Sequence, residues 1–233
     1  MYKIITHTIK EEHFDHPMTA EYALSNRGDL HKGPQARLGD ELFTTVTSMR
    51  LRQTTRTLFE TYLLELRSEL VGILNGSEDI SVVAEKLFST ILEIGNVVRP
   101  YYGSIPADQL SSNLKALTVA IIDYATATKA GTSTADSEAR AAIQITNLSN
   151  LLSGANPWWP AAAVTDYFTK FTKAETDQIV ARKAKNWSAD LTALDAARTI
   201  LLSGLDNNTL SLAGLISIGI ISQFPNKFVS VGL

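Results

Sequence analysis

The sequence contains no cysteine among its 233 residues, and all four of its histidines lie within the first 31. The first absence excludes disulfide bonds, thiolate catalysis and zinc–thiolate sites. The second leaves the rest of the chain without an imidazole to activate a serine nucleophile. No G-x-S-x-G motif and no G-x-x-x-x-G-K-[ST] phosphate loop occurs either. The common hydrolase and nucleotide-binding signatures are therefore missing.

Charge of one sign and long apolar runs are also scarce. The formal net charge is -3 and the sequence pI is about 5.8, so no basic field is available for nucleic acid, and we predict no nucleic-acid partner. The most apolar run, "LSLAGLISIGII" at 210–221, is shorter than the roughly 20 residues that cross a bilayer. It predicts a buried helix and no membrane span. The N-terminal residues lack the apolar core of a signal peptide.

Hydrophobic periodicity is the strongest positive signal in the chain. From about residue 37, apolar residues recur at three- and four-residue spacings, which is typical of helices. Short intervening loops favour an all-α, up-down antiparallel bundle of about six to seven helices. We predict an extended N-terminal arm at 1–36, a helical bundle at 37–228 and a C-terminal tail at 229–233.

Local signals place the helix boundaries. Gly76 and Gly131 predict helix C-caps, and Ser77 predicts the N-cap of the helix over 80–98. Pro100 is expected to end that helix. "TKAE" at 172–175 matches a capping box and predicts a new helix start after one that follows Pro160.

The apolar face predicted for each helix adds to this assignment of helices. The first helix is expected to bury Val46 and Met49, and the fourth to bury Ile143. The sixth is expected to bury Trp187 and Leu191. "SGLDNNT" at 203–209 is interpreted as a break before the last helix at 210–222, with Thr209 as its cap.

The arm contains "KEEHFDHP" at 10–17, where His13 and His16 stand among three carboxylates. Histidines three apart share one face of a helix and can bind zinc. Pro17 and the lack of a helical stripe argue against a rigid helix here, so we favour a polar contact surface. Phe14, isolated among charges, is predicted to be an anchor that inserts into a neighbouring subunit.

Five carboxylates of the bundle form a second candidate: Glu60, Glu65, Glu93, Asp190 and Asp195. A di-metal bundle site pairs Glu with Glu-x-x-His, and that pairing is impossible after residue 31. Carboxylate-only binding of Mg²⁺ or Ca²⁺ stays open. The favoured alternative is surface residues or buried ion pairs with Arg67 or Arg198. We predict no metal and no cofactor.

Aromatic pairs stand at two helix junctions. Trp158 and Trp159 lie between prolines, and Tyr101 and Tyr102 precede a glycine. We expect them to close the ends of helices, with the tyrosine hydroxyl groups at the rim. They are also the predicted binding residues if a cavity between these segments holds a small ligand.

Several segments in one order carry a resemblance: "EIGNVVRPYYG" at 93–103, "LLSGANPWWP" at 151–160, "TKAE" at 172–175, "WSADLTALD" at 187–195 and "GIISQFPNKF" at 219–228. The chain resembles a large family of helical-bundle proteins without an established function, whose members are sometimes named glycosyltransferase or acetylglutamate kinase. The resemblance spans roughly residues 51–228. It implies a bundle of short-looped antiparallel helices.

The departures from that family concern its interior. The resemblance implies histidines at positions where this chain has Tyr62, Leu117, Phe168 and Arg198. Arg67, Glu93, Asp190 and Asp195 match the family, and "LSGLDNNT" is an insertion. The resemblance therefore implies a divergent member whose ancestral polar site is degraded.

The leading functional hypothesis is a non-catalytic structural or assembly protein that contacts neighbouring subunits through its arm, such as a virion, filament or coat component. The alternatives are a helical module that binds a small ligand and a metal-dependent enzyme that uses the remaining carboxylates. Fold alone does not decide between them.

Overall fold

Helices make up nearly all of the chain that the computed structural model describes, namely residues 41–203 and 210–229, and no β-strand occurs in these ranges. Residues 41–44 are helical. The α-helices that follow are α1 (Val46–Asn75), α2 (Ile80–Tyr102), α3 (Ser104–Ala130), α4 (Ala135–Ala155), α5 (Ala161–Lys183), α6 (Trp187–Arg198) and α7 (Leu212–Gln223). A π-helical turn, Thr199–Ser203, extends α6, and a 3-10 turn, Pro225–Lys227, follows α7. The predicted all-α fold is confirmed.

Consecutive helices from α1 to α6 pack on one another, and connections of one to five residues join them. Such short connections force neighbouring helices to run antiparallel. Helix α1 also contacts α3, α5, α6 and α7, and α3 contacts α5. The structure is therefore the predicted antiparallel bundle, with α1 and α3 at its centre.

The core follows the predicted helical stripes in α3 but departs from them elsewhere. Leu114, Leu117 and Ile121 are fully buried, as expected. In α1, by contrast, Val46 and Met49 are exposed, and the buried residues near its start are Ser48, Leu51, Thr55 and Phe59. The chain is extended at Thr45, whose side chain caps Ser48. This break resets the helical phase, so the stripe predicted from residue 37 onwards was wrong at 46 and 49. Ile143 of α4 is also exposed.

The two predicted glycine C-caps are confirmed. Gly76 has φ 75° and Gly131 has φ 73°, a left-handed conformation that glycine adopts without strain. Their N–H groups bond to carbonyl groups of the preceding turn. The N-cap prediction at Ser77 was wrong, because α2 begins after Asp79 and no side chain caps it.

Pro100 does not end α2, which continues to Tyr102. Proline removes one backbone hydrogen bond to the preceding turn, but here this loss falls in the last turn, where the helix is about to end. Lys227 Nζ donates to the Pro100 carbonyl at 2.7 Å. The chain leaves the helix at Gly103, where φ is 84°.

The capping box at 172–175 is not a helix start, because α5 runs unbroken through it. Phe171, Ala174, Glu175 and Gln178 are all buried on one continuous side. The break comes instead at Lys185, which has φ 57°. Asn186 then caps α6 by accepting from the Ala189 N–H at 3.2 Å.

The stripe predicted for α6 was also wrong. Trp187 and Leu191 are exposed, whereas Asp190, Ala193 and Ala197 are buried. Helix α7 begins after Ser211, whose side chain accepts from the Gly214 N–H at 3.1 Å. The predicted break at 203–209 and the cap at Thr209 lie largely outside the described residues. The predicted arm at 1–36, including Phe14, and residues 230–233 of the tail lie outside them as well. In the described ranges, every helix is too short or too polar to cross a bilayer.

Candidate functional site

Six polar side chains meet inside the bundle between α1, α5 and α6. We call this group the charge cluster, and its members are Tyr62, Arg67, Glu175, Gln178, Arg182 and Asp190. Its residues lie in the half of the bundle where α5 ends and α6 begins. Buried charges of this kind are costly unless they are paired, so the pairing decides what the cluster can do.

Asp190 is the hub of the cluster. Its two carboxylate oxygens accept from Arg67 Nη1 and Nη2, each at 3.0 Å, and Arg182 Nη1 donates to Oδ2 at 2.7 Å. Burial alone would raise the pKa of Asp190, but the hydrogen bonds and positive charges of Arg67 and Arg182 outweigh it and lower the pKa. The carboxylate is therefore ionised, and it ties α1, α5 and α6 together.

Glu175 lies beside this ion pair but is not bonded to it. Its side chain is completely buried, and neither carboxyl oxygen has a hydrogen-bond partner among the described residues. Burial raises the pKa of Glu175 to about 8, against the lowering effect of the Arg67 charge. The negative charge of Asp190 contributes to this raised pKa. Glu175 is therefore mostly protonated at neutral pH.

Tyr62 lies close enough to Glu175 for the carboxyl charge to act on its hydroxyl group. Its hydroxyl group is 2.9 Å from Thr118 Oγ1. Because the Thr118 hydroxyl donates to the Leu114 carbonyl, Tyr62 is the donor to Thr118. Burial raises the pKa of Tyr62 well above its ordinary value, and its ring packs 5.9 Å from that of Phe171. The tyrosine is thus a neutral, packed residue.

The positions at which the resemblance implies histidine fall into two groups. Tyr62, Leu117 and Phe168 are all buried in the core, whereas Arg198 is exposed. Three of these four positions therefore lie in the interior. None of the three has an imidazole group that could bind a metal.

The predicted carboxylate set does not form one site. Glu93 and Asp195 are exposed, and Asp190 is buried with its arginines. Glu65 Oε1 lies 3.9 Å from Lys86 Nζ. The residues described include no group of three ligand-type side chains arranged to hold a metal ion. The alternative of a buried ion pair is confirmed for Asp190 and Arg67, but Arg198 takes no part in it.

A second cluster, which we call the aromatic end, lies where α2 and α4 end. Its members are Tyr101, Tyr102, Asn156, Trp159, Gln223, Phe224 and Phe228. They come from "EIGNVVRPYYG", "LLSGANPWWP" and "GIISQFPNKF". Three of the segments that carry the resemblance thus meet in one packing unit.

Trp159 is buried in this unit as a wedge. Its indole Nε1 donates to the Leu215 carbonyl at 2.9 Å. The ring lies directly on Gly219, where an added Cβ would be 2.1 Å from Nε1 and 2.7 Å from Cδ1. Gly219 therefore makes room for the tryptophan, which agrees with the predicted role of Trp159 at a helix junction.

Tyr102 anchors a closed hydrogen-bond network. Its hydroxyl donates to Gln223 Oε1 at 2.6 Å and accepts from Asn156 Nδ2 at 2.7 Å. Gln223 Nε2 in turn donates to the Ala155 carbonyl at 3.1 Å. The ring packs 5.4 Å from Trp159 and edge-on to Phe224 at 5.3 Å.

The other two predicted ring residues are more accessible. Tyr101 stacks on Phe228 at 5.7 Å, with Lys227 Nζ 5.3 Å from its centroid. Trp158 is 39% exposed. The structure therefore brings Tyr101, Tyr102 and Trp159 together, but other protein side chains occupy the faces of their rings.

A surface groove of about 710 Å³ lies between α5 and α6. It is lined by Lys170, Lys173, Ala174, Asp177, Asn186, Ser188, Ala189, Thr192, Ala193, Ala196 and Ile200. Both lysines are already paired within α5, Lys170 with Asp166 and Lys173 with Asp177. The groove is open to solvent, and alanine, serine and threonine side chains line it together with the charged ones.

Sequence reasoning missed Glu175, Gln178 and Arg182 as members of the charge cluster. Periodicity places Gln178 and Glu175 on the buried side of α5 once the helix is known to be continuous, and the false capping box concealed that signal. Arg182 carried no signal of its own, because its role depends on where α6 begins.

Comparisons of the chain with protein-family models, with curated proteins and with solved structures give no match. The resemblance to the helical-bundle family stays a prediction.

Proposed function

We propose that the protein is a non-catalytic structural subunit of a larger assembly. One observation carries this proposal: Asp190, the buried carboxylate left from the implied polar site, accepts from both Arg67 and Arg182. A carboxylate held by two guanidinium groups has a lowered pKa, and three of the roughly four acceptor sites of Asp190 are already occupied by arginine N–H groups. The cluster is therefore suited to tying helices together.

The surface of the bundle supports a contact role. Large apolar side chains are exposed on several helices, including Leu64 on α1, Ile105 on α3, and Trp187 and Leu191 on α6. Scattered exposed residues are ordinary, but two large ones that are four residues apart on one helix form a stripe that a partner can cover.

The arm supplies the second contact in this proposal. Phe14 stands among Glu11, Glu12 and Asp15, and an aromatic anchor with a polar rim is the usual composition of a binding hot spot. In the proposed assembly the arm of one subunit reaches a neighbour, as in a virion shell, filament or coat. The protein is then a divergent member of the helical-bundle family that has kept the fold and lost the site.

Light scattering coupled to size-exclusion chromatography of the full chain tests this role. We expect Phe14→Ala to weaken association and to leave the melting temperature nearly unchanged. Phe59→Ala is the matched control, because Phe59 is buried in the core. It should lower the melting temperature by many degrees, since truncating a buried phenylalanine to alanine costs about 3–5 kcal/mol.

Three results would contradict the proposal. The first is a wild-type chain that stays monomeric at every concentration. The second is a large drop in melting temperature for Phe14→Ala, which would place Phe14 in the core. The third is a stoichiometric metal in protein purified without a His tag, which would favour the metal-dependent enzyme.

Binding of a small ligand is the second candidate, and the groove between α5 and α6 is the observation that favours it. Its volume lies within the range of about 300–1,000 Å³ usual for ligand sites. Ala189→Trp places a large ring in the groove. A small molecule found by thermal-shift screening should lose its stabilising effect on this variant, and a ligand that still binds would place the site elsewhere.

A further inference from the structure

Asn75 and Gly76 form the only Asn–Gly pair in the sequence. An asparagine side chain can react with the backbone nitrogen of the residue that follows it, and glycine favours this reaction because no Cβ crowds that nitrogen. Both residues are exposed, and they lie where α1 ends and the chain turns towards α2. The pair most prone to deamidation is therefore accessible to water.

This reaction needs only the chain and water. The deprotonated nitrogen of Gly76 attacks Cγ of Asn75, an N–Cγ bond forms, the Cγ–Nδ2 bond breaks, and ammonia leaves. Water then opens the resulting succinimide ring at either of its carbonyl groups. One opening gives aspartate, and the other gives isoaspartate, in which the main chain runs through the former side-chain carbon. Nothing is oxidised or reduced, and a neutral amide becomes a carboxylate that is ionised at neutral pH.

The folded end of α1 holds the pair in an unreactive geometry. The Gly76 N–H, which must lose its proton, donates to the carbonyl groups of Gly72 at 2.8 Å and Ile73 at 3.2 Å. Asn75 is the last residue of the helix, and ring closure needs a backbone ψ far from the helical value of about −42°. The Ser77 N–H also donates to the Gly72 carbonyl, at 2.9 Å. The last turn of α1 must therefore open before Asn75 reacts.

A lysine from a neighbouring helix limits this opening. Lys129, in the last turn of α3, donates from Nζ to the Ile73 carbonyl at 2.5 Å. A Cβ added at Gly76 would lie 3.2 Å from the same Nζ. The Lys129 carbonyl in turn accepts from Lys183 Nζ of α5 at 2.7 Å. Since a cation is also favoured at the C-terminal end of a helix, Lys129 fastens the last turn of α1 to α3 and α5.

We propose that Asn75 is a deamidation site whose rate is set by opening of the last turn of α1, and that Lys129 controls this opening. The product adds a negative charge at the C-terminal end of a helix, where the dipole disfavours it, and Glu78 and Asp79 follow closely in the sequence. Isoaspartate also lengthens the main chain and displaces Gly76 from the C-cap. The modified chain should therefore be less stable, and this holds whether or not the chain assembles.

Incubation of the full chain at mildly alkaline pH, well below its melting temperature, tests the site. Intact mass and peptide mapping follow the conversion of an amide to a carboxylate. In urea, Asn75 should react before every other asparagine, and in the folded chain it should react at least about tenfold more slowly. Equal rates in both states would overturn control by the helix end. Faster reaction at another asparagine in urea would overturn the choice of site.

Lys129→Met tests the fastening. The Lys129 side chain is exposed, so the variant should fold, and its Asn75 should react at least about threefold faster than in the folded wild type. The rate in urea should not change, because the lysine acts only on the folded end. Lys129→Arg keeps a donor and should restore the slow rate. A Lys129→Met chain that reacts at the wild-type rate would overturn the role of Lys129.

Two further variants complete the test. Lys170→Met is the matched control for the lysine, because Lys170 pairs with Asp166 within α5, and both of its rates should equal those of the wild type. Asn75→Asp reproduces one product and should lower the melting temperature by about 1–4 °C. Asn147→Asp, at an exposed position inside α4, should leave it nearly unchanged. An Asn75→Asp chain as stable as Asn147→Asp would overturn the destabilising effect of the modification.

Discussion

At the aromatic end, the Tyr102 hydroxyl both donates and accepts, and its partners Asn156 and Gln223 are held in the same network. In the charge cluster, Asp190 has two arginine partners, but both oxygens of Glu175 and the Nε2 atom of Gln178 have none among the described residues. The two regions lie in opposite halves of one bundle. The aromatic end provides hydrogen bonds for these polar groups. The charge cluster provides them for some of its polar groups and leaves others buried without a hydrogen bond.

The two clusters thus represent two ways of holding neighbouring helices together. A neutral network whose hydrogen bonds are all formed stabilises the fold at every pH. Any substitution in it removes a favourable hydrogen bond or packing contact. A buried ion pair gives strong geometric restraint, but its net contribution is reduced by the cost of removing charges from water. Substitutions at the aromatic end should therefore only destabilise, whereas the charge cluster should contain at least one position where a substitution stabilises.

The largest effect is expected from Asp190→Ala. It leaves the partly buried Arg67 and Arg182 without their carboxylate partner, and we expect a loss of about 3 kcal/mol in the free energy of unfolding, measured in urea. Asp195→Ala is the control on the same helix. Asp195 is exposed, so its loss should stay within about 0.5 kcal/mol. Equal losses would show that the ion pair contributes nothing beyond a surface charge.

The next effect is expected at the aromatic end. Gly219→Ala places a methyl group against the Trp159 ring, and relieving the overlap should cost about 1–3 kcal/mol. Gly154→Ala is the matched control, because a Cβ there meets nothing within 4 Å. In a helix that change should be neutral or should stabilise by about 0.5–1 kcal/mol. A neutral Gly219→Ala would mean that Trp159 is not tightly wedged.

Tyr102→Phe should have a smaller effect. It removes the hydroxyl that serves Gln223 and Asn156, and leaving the buried Asn156 amide without its acceptor costs about 1–3 kcal/mol at most. We expect a loss of about 1 kcal/mol in the free energy of unfolding, measured by thermal unfolding and equal at pH 5 and pH 8. A loss that depends on pH would show that this end also carries a titrating group.

The last effect, and the one of opposite sign, is expected from Glu175→Gln. The pKa of Glu175 is about 8 in the folded protein and near 4.5 in the unfolded chain, so the folded state binds an extra proton between these values. Stability therefore falls as pH rises through that window. The glutamine variant is neutral throughout. It should match the wild type near pH 4 and exceed it at pH 8.5 by at least about 1 kcal/mol, or about 2–4 °C in melting temperature.

Asp190 provides the internal contrast for the pH profile of Glu175. Its pKa is lowered in the folded state, so its contribution is present above the pKa of the unfolded chain and is lost as pH falls below about 4. Wild type and Glu175→Gln should lose this contribution alike in acid. If the stability of the wild type and of Glu175→Gln changes with pH in the same way from pH 4 to 8.5, the Glu175 carboxyl group is solvated. It is then not a buried group without a hydrogen-bond partner.

The sequence predicted the elements whose signals are local. Gly76 and Gly131 end helices because a left-handed residue is needed there, and this need is visible in the sequence itself. The stripe of α3 was predicted because its neighbours on both sides are apolar. The all-α antiparallel arrangement followed from such stripes and from the shortness of the loops.

The errors came where tertiary contacts override a local pattern. Thr172 and Glu175 have the spacing of a capping box, but burial of Phe171 and Gln178 on the same side keeps α5 continuous. Trp187 and Leu191 looked like core residues because they are apolar. The side of α6 that is buried carries Asp190 and alanines, and no periodicity of hydrophobic residues marks such a face.

For the site, the pairing of Asp190 with Arg67 was among the alternatives that the sequence offered. The second arginine and the unbonded Glu175 were not. Which guanidinium group reaches a carboxylate depends on how α5 and α6 meet, and that geometry is set by the turn at Lys185. The roles of Tyr101, Tyr102, Trp158 and Trp159 as binding residues stay predictions.

The π-helical turn at Thr199–Ser203 has a consequence for where the chain tolerates a deletion. Three successive side chains there, Ile200, Leu201 and Leu202, are all buried in the core. A π-helical turn closes with a hydrogen bond that spans one residue more than in an α-helix. Shortening the chain by one residue within 199–203 should thus be tolerated far better than the same deletion in the middle of α3, where every later side chain would be rotated by about 100°.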